Sequence, residues 1–177
     1  MLEAIVTSKT RIKLLMKFFI NSATSSYLRD LEQEFGDSTN GIRLELNRFC
    51  ESGMLESEVV GNKRYFKANT KHPLFKDLHN ILLKYTGIDT VIESVLAKLG
   101  GLKEAWLVGD FAKGVDSKII DLVLVGEKIN LDSLLEYIEK AEPLIKRKIR
   151  YLLLKSSEKK IVDSEYPDKL LLYKEIV

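Results

Sequence analysis

Between residues 106 and 126 the chain reads WLVGDFAKGVDSKIIDLVLVG, and its chemistry-bearing groups are Gly109, Asp110, Gly114, Asp116 and Asp121. The glycines can turn the backbone in conformations that other residues resist. Asp121 sits alone among apolar neighbours, with Ile119 two positions before it. The segment reads as an active site with parts missing, because a hard divalent cation is held by oxygen ligands, chiefly carboxylates, and the closing strand from Ile119 carries only one. A second set of polar groups lies earlier. Thr39, Asn40, Arg43 and Asn47 fall opposite Ile42, Leu46 and Phe49 when the stretch is wound as a helix. Arg can bridge two acceptors on guanine, and Asn can bridge N6 and N7 of adenine. Ser26, Tyr27 and Arg29 precede this stretch, and Lys63 and Arg64 follow it. All five can donate to phosphates.

The elements that would carry these groups follow from periodicity. Ser8-Lys9-Thr10 precedes a helical run with Ile12, Leu15, Phe19 and Ile20 on one side. Ser25 or Ser26 is expected to cap a second helix, with Leu28, Leu31 and Phe35 inward and Gly36 at its end. Asp37 or Ser38 is expected to cap a third, which stops at Gly53. "LESEVV" and "RYFKAN" then read as strands joined through Gly61-Asn62-Lys63, a hairpin signal. His72-Pro73 opens a further helix with Leu74, Leu78, Ile81, Leu82 and Tyr85 along one side, ended by Gly87. That stripe must pack on the second domain, on a twin copy, or on both. Asp89 or Thr90 is expected to cap the next helix, which carries Val91, Val95, Leu96 and Leu99. Beyond Gly100-Gly101 the period changes. "EAWLVGDF", "KIIDLVLVG", "KIRYLLLK" and "KLLLYKEI" read as strands, with the amphipathic helix "NLDSLLEYIEKAEPLI" between the second and third.

Three helices and a hairpin in this order resemble the winged helix-turn-helix transcription regulators of the ArsR and MarR type. The most telling piece is Leu46-x-x-Phe49-x-x-x-Gly53-Met54-Leu55, a leucine-spaced helix that ends at a glycine before the first wing strand. The resemblance covers roughly residues 8–70. It implies that the third helix enters the major groove of double-stranded DNA, with Thr39, Asn40, Arg43 and Asn47 toward the bases. It also implies that Ser26, Tyr27, Arg29, Lys63 and Arg64 meet the backbone, and that the chain works as a homodimer. The competing readings are a solvated helix face and a protein–protein contact. Glu32, Glu34, Glu45 and Glu51 dilute the positive field, and Leu44 is expected on the exposed side.

The later order of strand, glycine turn, strand with acid, helix and strand resembles the minimal nucleotidyltransferases, small relatives of the DNA polymerase beta catalytic domain. Their signature is Gly-Ser-x-Ala-x-Gly followed by Asp-x-Asp on a strand. Here Gly109, Ala112 and Gly114 stand in the matching places. The family's reaction uses two divalent metals roughly 3.5–4 Å apart, held by three carboxylates. In this chain Ile119 replaces the first, Asp121 is the second, and no Asp or Glu occurs from Pro143 to Ser157 to serve as the third. Asp110 stands where the family's Ser contacts the triphosphate, and opposes it with like charge. The expectation is a vestigial site at Gly109, Asp110, Gly114 and Asp121, with no catalytic residue, no metal and no cofactor. An unrelated α/β domain whose glycines only make turns is the alternative.

The expected fold is therefore α/β and two-domain: residues 1–72 a winged helix-turn-helix, 73–87 a connecting or dimerising helix, and 88–177 a nucleotidyltransferase-like domain. Its role would be dimerisation, or binding of a protein partner or small ligand. The charge pattern is consistent with this division. The first 86 residues hold 13 Lys and Arg against 10 Asp and Glu, the remainder 15 against 16, and a basic balance favours polyanions. Cys50 is the lone cysteine, which excludes a disulfide framework and reads as a packing residue. No apolar run approaches the roughly 18 residues of a membrane span. The first residues lack the features of a secretory signal, so the cytoplasm is the expected compartment.

Overall fold

Ser8 starts the first helix, its Oγ accepting the Arg11 N–H at 3.2 Å. This helix, α1 (Lys9–Phe19), turns Leu14, Leu15, Phe18 and Phe19 into the core. The computed structural model describes residues 2–176 and divides into two units, Met1–Tyr85 and Thr86–Val177. In the first unit α1 is followed by β1 (Ser25–Tyr27), α2 (Leu28–Phe35), α3 (Thr39–Glu51), β2 (Leu55–Val60), β3 (Lys63–Ala68) and α4 (Phe75–Thr86). The strands form one antiparallel sheet in the order β1-β3-β2. Leu31, Ile42, Leu46 and Phe66 are buried beside the α1 residues. Each fully buried large apolar side chain stabilises by about 1.5–3 kcal/mol.

The local signals act as expected at several points. Ser38 Oγ accepts the Gly41 N–H at 3.2 Å and caps α3. Gly36 ends α2 in the left-handed conformation, φ +65°, where a Cβ would be penalised. Val60 pairs directly with Lys63, so Gly61 and Asn62 alone make the turn. The expected serine caps of α2 are corrected. Ser25 and Ser26 are extended and pair with Lys67 and Phe66, and Tyr27 occupies the cap position without a side-chain capping bond. Pairing with β3 satisfies this backbone and overrides the capping preference.

The second unit contains α5 (Ile88–Ser94), β4 (Leu102–Val108), α6 (Gly109–Ala112), β5 (Ile119–Gly126), α7 (Leu131–Ile145), β6 (Lys148–Leu154), α8 (Lys160–Glu165) and β7 (Leu170–Lys174). Its mixed sheet has the order β6-β5-β4-β7. Only β5 and β6 run parallel, joined by the α7 crossover, and the other pairs are antiparallel. Ile120, Leu122 and Leu124 alternate with Asp121, Val123 and Val125 across its two faces. On the Asp121 face, Val108, Val123, Val125 and Leu154 pack with Val162 of α8, and Trp106 and Tyr166 cover them.

Two further expectations are revised here. Gly87, not Asp89 or Thr90, is the cap residue of α5; its φ of +81° and the approach of Ile145, 2.7 Å from a Cβ built there, demand glycine. The "EAWLVGDF" strand ends at Val108, because Gly109 at φ +68° turns the chain into the single turn of α6. Among the described residues no helix is long and apolar enough to cross a membrane.

Candidate functional site

The N-terminal unit carries a cleft of about 850 Å³ between α2, α3 and the turn joining β2 to β3. Tyr27, Arg29, Thr39, Arg43, Asn47, Lys63 and Arg64 all line it, so residues far apart in sequence meet on one concave surface. Helix α3 places Arg43 and Asn47 one turn apart because Ile42, Leu46 and Phe49 fix its opposite face inward. The β2–β3 pairing sets Lys63 and Arg64 across from them.

The donors are held in place. Lys63 Nζ lies 4.1 Å from the centre of the Tyr27 ring, and its bond to Tyr27 raises its pKa. Tyr27 in turn meets Tyr65 edge-on at 5.4 Å. Arg64 Nε donates to Ser57 Oγ at 2.9 Å, and its guanidinium lies over the Phe66 ring. Thr39 Oγ1 donates to Glu32 at 2.6 Å. Arg43 Nη1 donates to Asn40 Oδ1 at 3.3 Å. Such mutual support lowers the ordering cost of binding a ligand.

Two expected contacts do not join this surface. Ser26 is 4% exposed and packed in β1, so it has no access to a phosphate. Asn40 is exposed beside the cleft and reaches it through Arg43. Sequence reasoning passed over Glu32, Gln33 and Asn62 as lining groups. Asn62 carried a signal, since a hairpin turn between Val60 and Lys63 had to place it at the tip. Leu44 is 52% exposed on α3. Cys50 is half-buried, and burial pushes its thiol pKa up.

In the C-terminal unit the Gly109 turn closes on Asp121. A Cβ at Gly109 would lie 2.6 Å from Asp121 Oδ2. The register sets Arg150 of β6 directly beside Asp121 of β5. Arg150 Nε donates to Asp121 Oδ1 at 2.6 Å and Nη2 to Oδ2 at 3.0 Å, a bidentate pair that raises the arginine pKa. Both groups border a pocket of about 390 Å³ with Gly109, Tyr151 and Tyr166. Asp110 is exposed on α6, and Gly114 lies buried at φ +78° in the next turn. Asp116 is paired with Arg147 at 2.8 Å. A two-metal centre does not fit these residues. Ile119 offers no ligand, Asp121 is engaged by a guanidinium, and no group of three His, Cys, Asp or Glu among the described residues could hold a metal ion. Arg150 was missed in the sequence. Its signal was a cation at an alternating strand position where an acid was sought.

No family model matches the chain, and no curated protein does. A solved structure of a mutant of the toxin–antitoxin MntA-HpeT matches with 12% identity and a TM-score of 0.40, over 49% of this chain and 73% of that one. A "putative nucleotidyltransferase" from Sulfolobus solfataricus matches with 20% identity and a TM-score of 0.37, over 53% of this chain and 83% of that one. Likeness of that degree says nothing of what this chain binds or catalyses.

Proposed function

We propose that the protein is a sequence-specific, DNA-binding transcriptional regulator of the cytoplasm, acting as a homodimer through an N-terminal winged helix-turn-helix. The observation that carries this reading is the convergence of Arg29, Arg43, Asn47, Lys63 and Arg64 on one cleft. Helix α3 is the element that enters the major groove, with Arg43 and Asn47 against base edges. Lys63 and Arg64 on the hairpin, with Arg29 at the start of α2, take phosphates. The C-terminal unit is a non-catalytic, nucleotidyltransferase-like module that supplies dimerisation, partner binding or ligand sensing. A gel shift with random duplex fragments at low salt tests the main reading. Retention of a defined subset supports it, and no retarded species sinks it.

Nucleotidyl transfer, with the winged helix as a targeting module, is the second reading. It is favoured by one feature, the closure of the Gly109 turn on Asp121, which keeps the outline of a phosphate-handling turn. It is opposed by the Arg150 pairing and by Ile119. The chain incubated with each labelled ribonucleoside triphosphate, magnesium or manganese, and itself, DNA or RNA as acceptor should transfer no label. Transfer abolished by Asp121→Ala would put the enzyme reading first.

A further inference from the structure

The cleft that gathers the N-terminal cations has a single acid in its lining, Glu32 of α2. Its Oε1 accepts the Thr39 hydroxyl at 2.6 Å. That bond fixes Thr39 at the first turn of α3 and leaves the second carboxylate oxygen as an acceptor. Glu32 is half-buried, so its charge is screened less than that of a free surface acid. In a cleft otherwise furnished with donors, a carboxylate disfavours phosphate oxygens at close range. It favours a group that presents N–H. Among base edges in the major groove, the cytosine N4 amine donates to Glu or Asp.

We propose that Glu32 is a specificity-determining residue, positioning Thr39 and selecting a cytosine amino edge while it keeps backbone phosphate out of its part of the cleft. The inference rests on the DNA-binding reading. It differs from a purely structural role for the Glu32–Thr39 bond in one respect: the second, negatively charged oxygen is required, not merely the one that holds Thr39. Glu32→Gln separates the two, since its side-chain oxygen can still take the Thr39 hydroxyl while an NH2 donor replaces the second, charged oxygen. Glu32→Ala removes both.

The experiment is a selection from a random duplex pool, run in parallel with the full wild-type chain and the two variants. It is followed by titration of each on the enriched duplex and on an unrelated one, with thermal melts to confirm that all three fold. The wild type should enrich a motif with cytosine at one position. Glu32→Gln should lose roughly tenfold in discrimination at that position, while binding the unrelated duplex more tightly. Glu32→Ala should lose that preference and also blur the adjacent position, where Thr39 is no longer held. If wild type and Glu32→Gln enrich the same motif with the same discrimination, Glu32 is only a structural partner of Thr39 and the inference is overturned with the DNA reading intact. If the wild type binds no duplex at low salt, both fall together.

Discussion

Asp121 lies between a glycine turn and a guanidinium, and each neighbour constrains it differently. Gly109 gives it room, since any side chain there would collide with its carboxylate. Gly109→Ala should therefore destabilise the C-terminal unit, through the positive φ and the collision together, by about 1–3 kcal/mol. Urea unfolding checks this, and an unchanged midpoint would contradict the described turn. Arg150 engages both oxygens of Asp121 with charge-assisted bonds, which ties β6 to β5 at this position. In the other unit, the DNA-binding proposal assigns Arg43 and Lys63 two different kinds of contact. Arg43→Ala should relax base preference by about 1–3 kcal/mol at one position. Lys63→Ala should weaken all sequences alike and reduce the salt slope by about 0.9. Anisotropy titrations at several salt concentrations distinguish them.

Helix α3 depends on the face it buries. Leu46 is 1% exposed behind the cleft, and Leu46→Ala should cost about 2–5 kcal/mol, read in a thermal or denaturant melt. Just before α3, Asp37 Oδ1 takes the Lys13 ammonium at 2.8 Å and its Oδ2 takes the Thr10 hydroxyl at 2.9 Å. The Lys13 bond holds its carboxyl below the ordinary 3.8. The stabilisation is present above that ordinary value and fades as pH falls through the lower native one. Asp37→Asn should accordingly be less stable than wild type at neutral pH, with the gap narrowing below about pH 4. A melt series across pH measures it. These elements show what the sequence made legible. Ile42, Leu46 and Phe49 announced α3 by spacing, Gly36 announced its helix end, and Gly61-Asn62 announced the hairpin. The short strand at Ser25–Tyr27 was not legible, because its partner β3 lies about forty residues on, and pairing rather than propensity makes it a strand. The helix α8 was hidden for a similar reason: six residues carry too little periodicity, and Val162 is buried by the sheet it covers. The cleft residues were readable as a polar face, but Glu32 and Arg150 were not, since each matters through a partner distant in sequence.

At the scale of the whole molecule, the proposed function gives one such cleft few base pairs to read, and two are needed for an operator-length site. A homodimer should protect two half-sites about one helical turn apart, roughly 10 base pairs. Sedimentation of the free chain should give twice the mass of one 20.2 kDa chain. Hydroxyl-radical footprinting on an enriched duplex would show the spacing, and a single protected patch from a monomer would contradict the paired arrangement. The C-terminal unit can couple to this only through differential binding. If a nucleotide binds there without transfer, it must shift DNA affinity by the same factor by which DNA shifts nucleotide affinity. The most direct test of the central claim is selection of bound fragments from a random duplex pool by the wild-type chain at low salt. The account predicts enrichment of one motif, lost on raising salt and degraded at one position by Arg43→Ala. Failure to retain any duplex at low salt, or retention without enrichment, would contradict it.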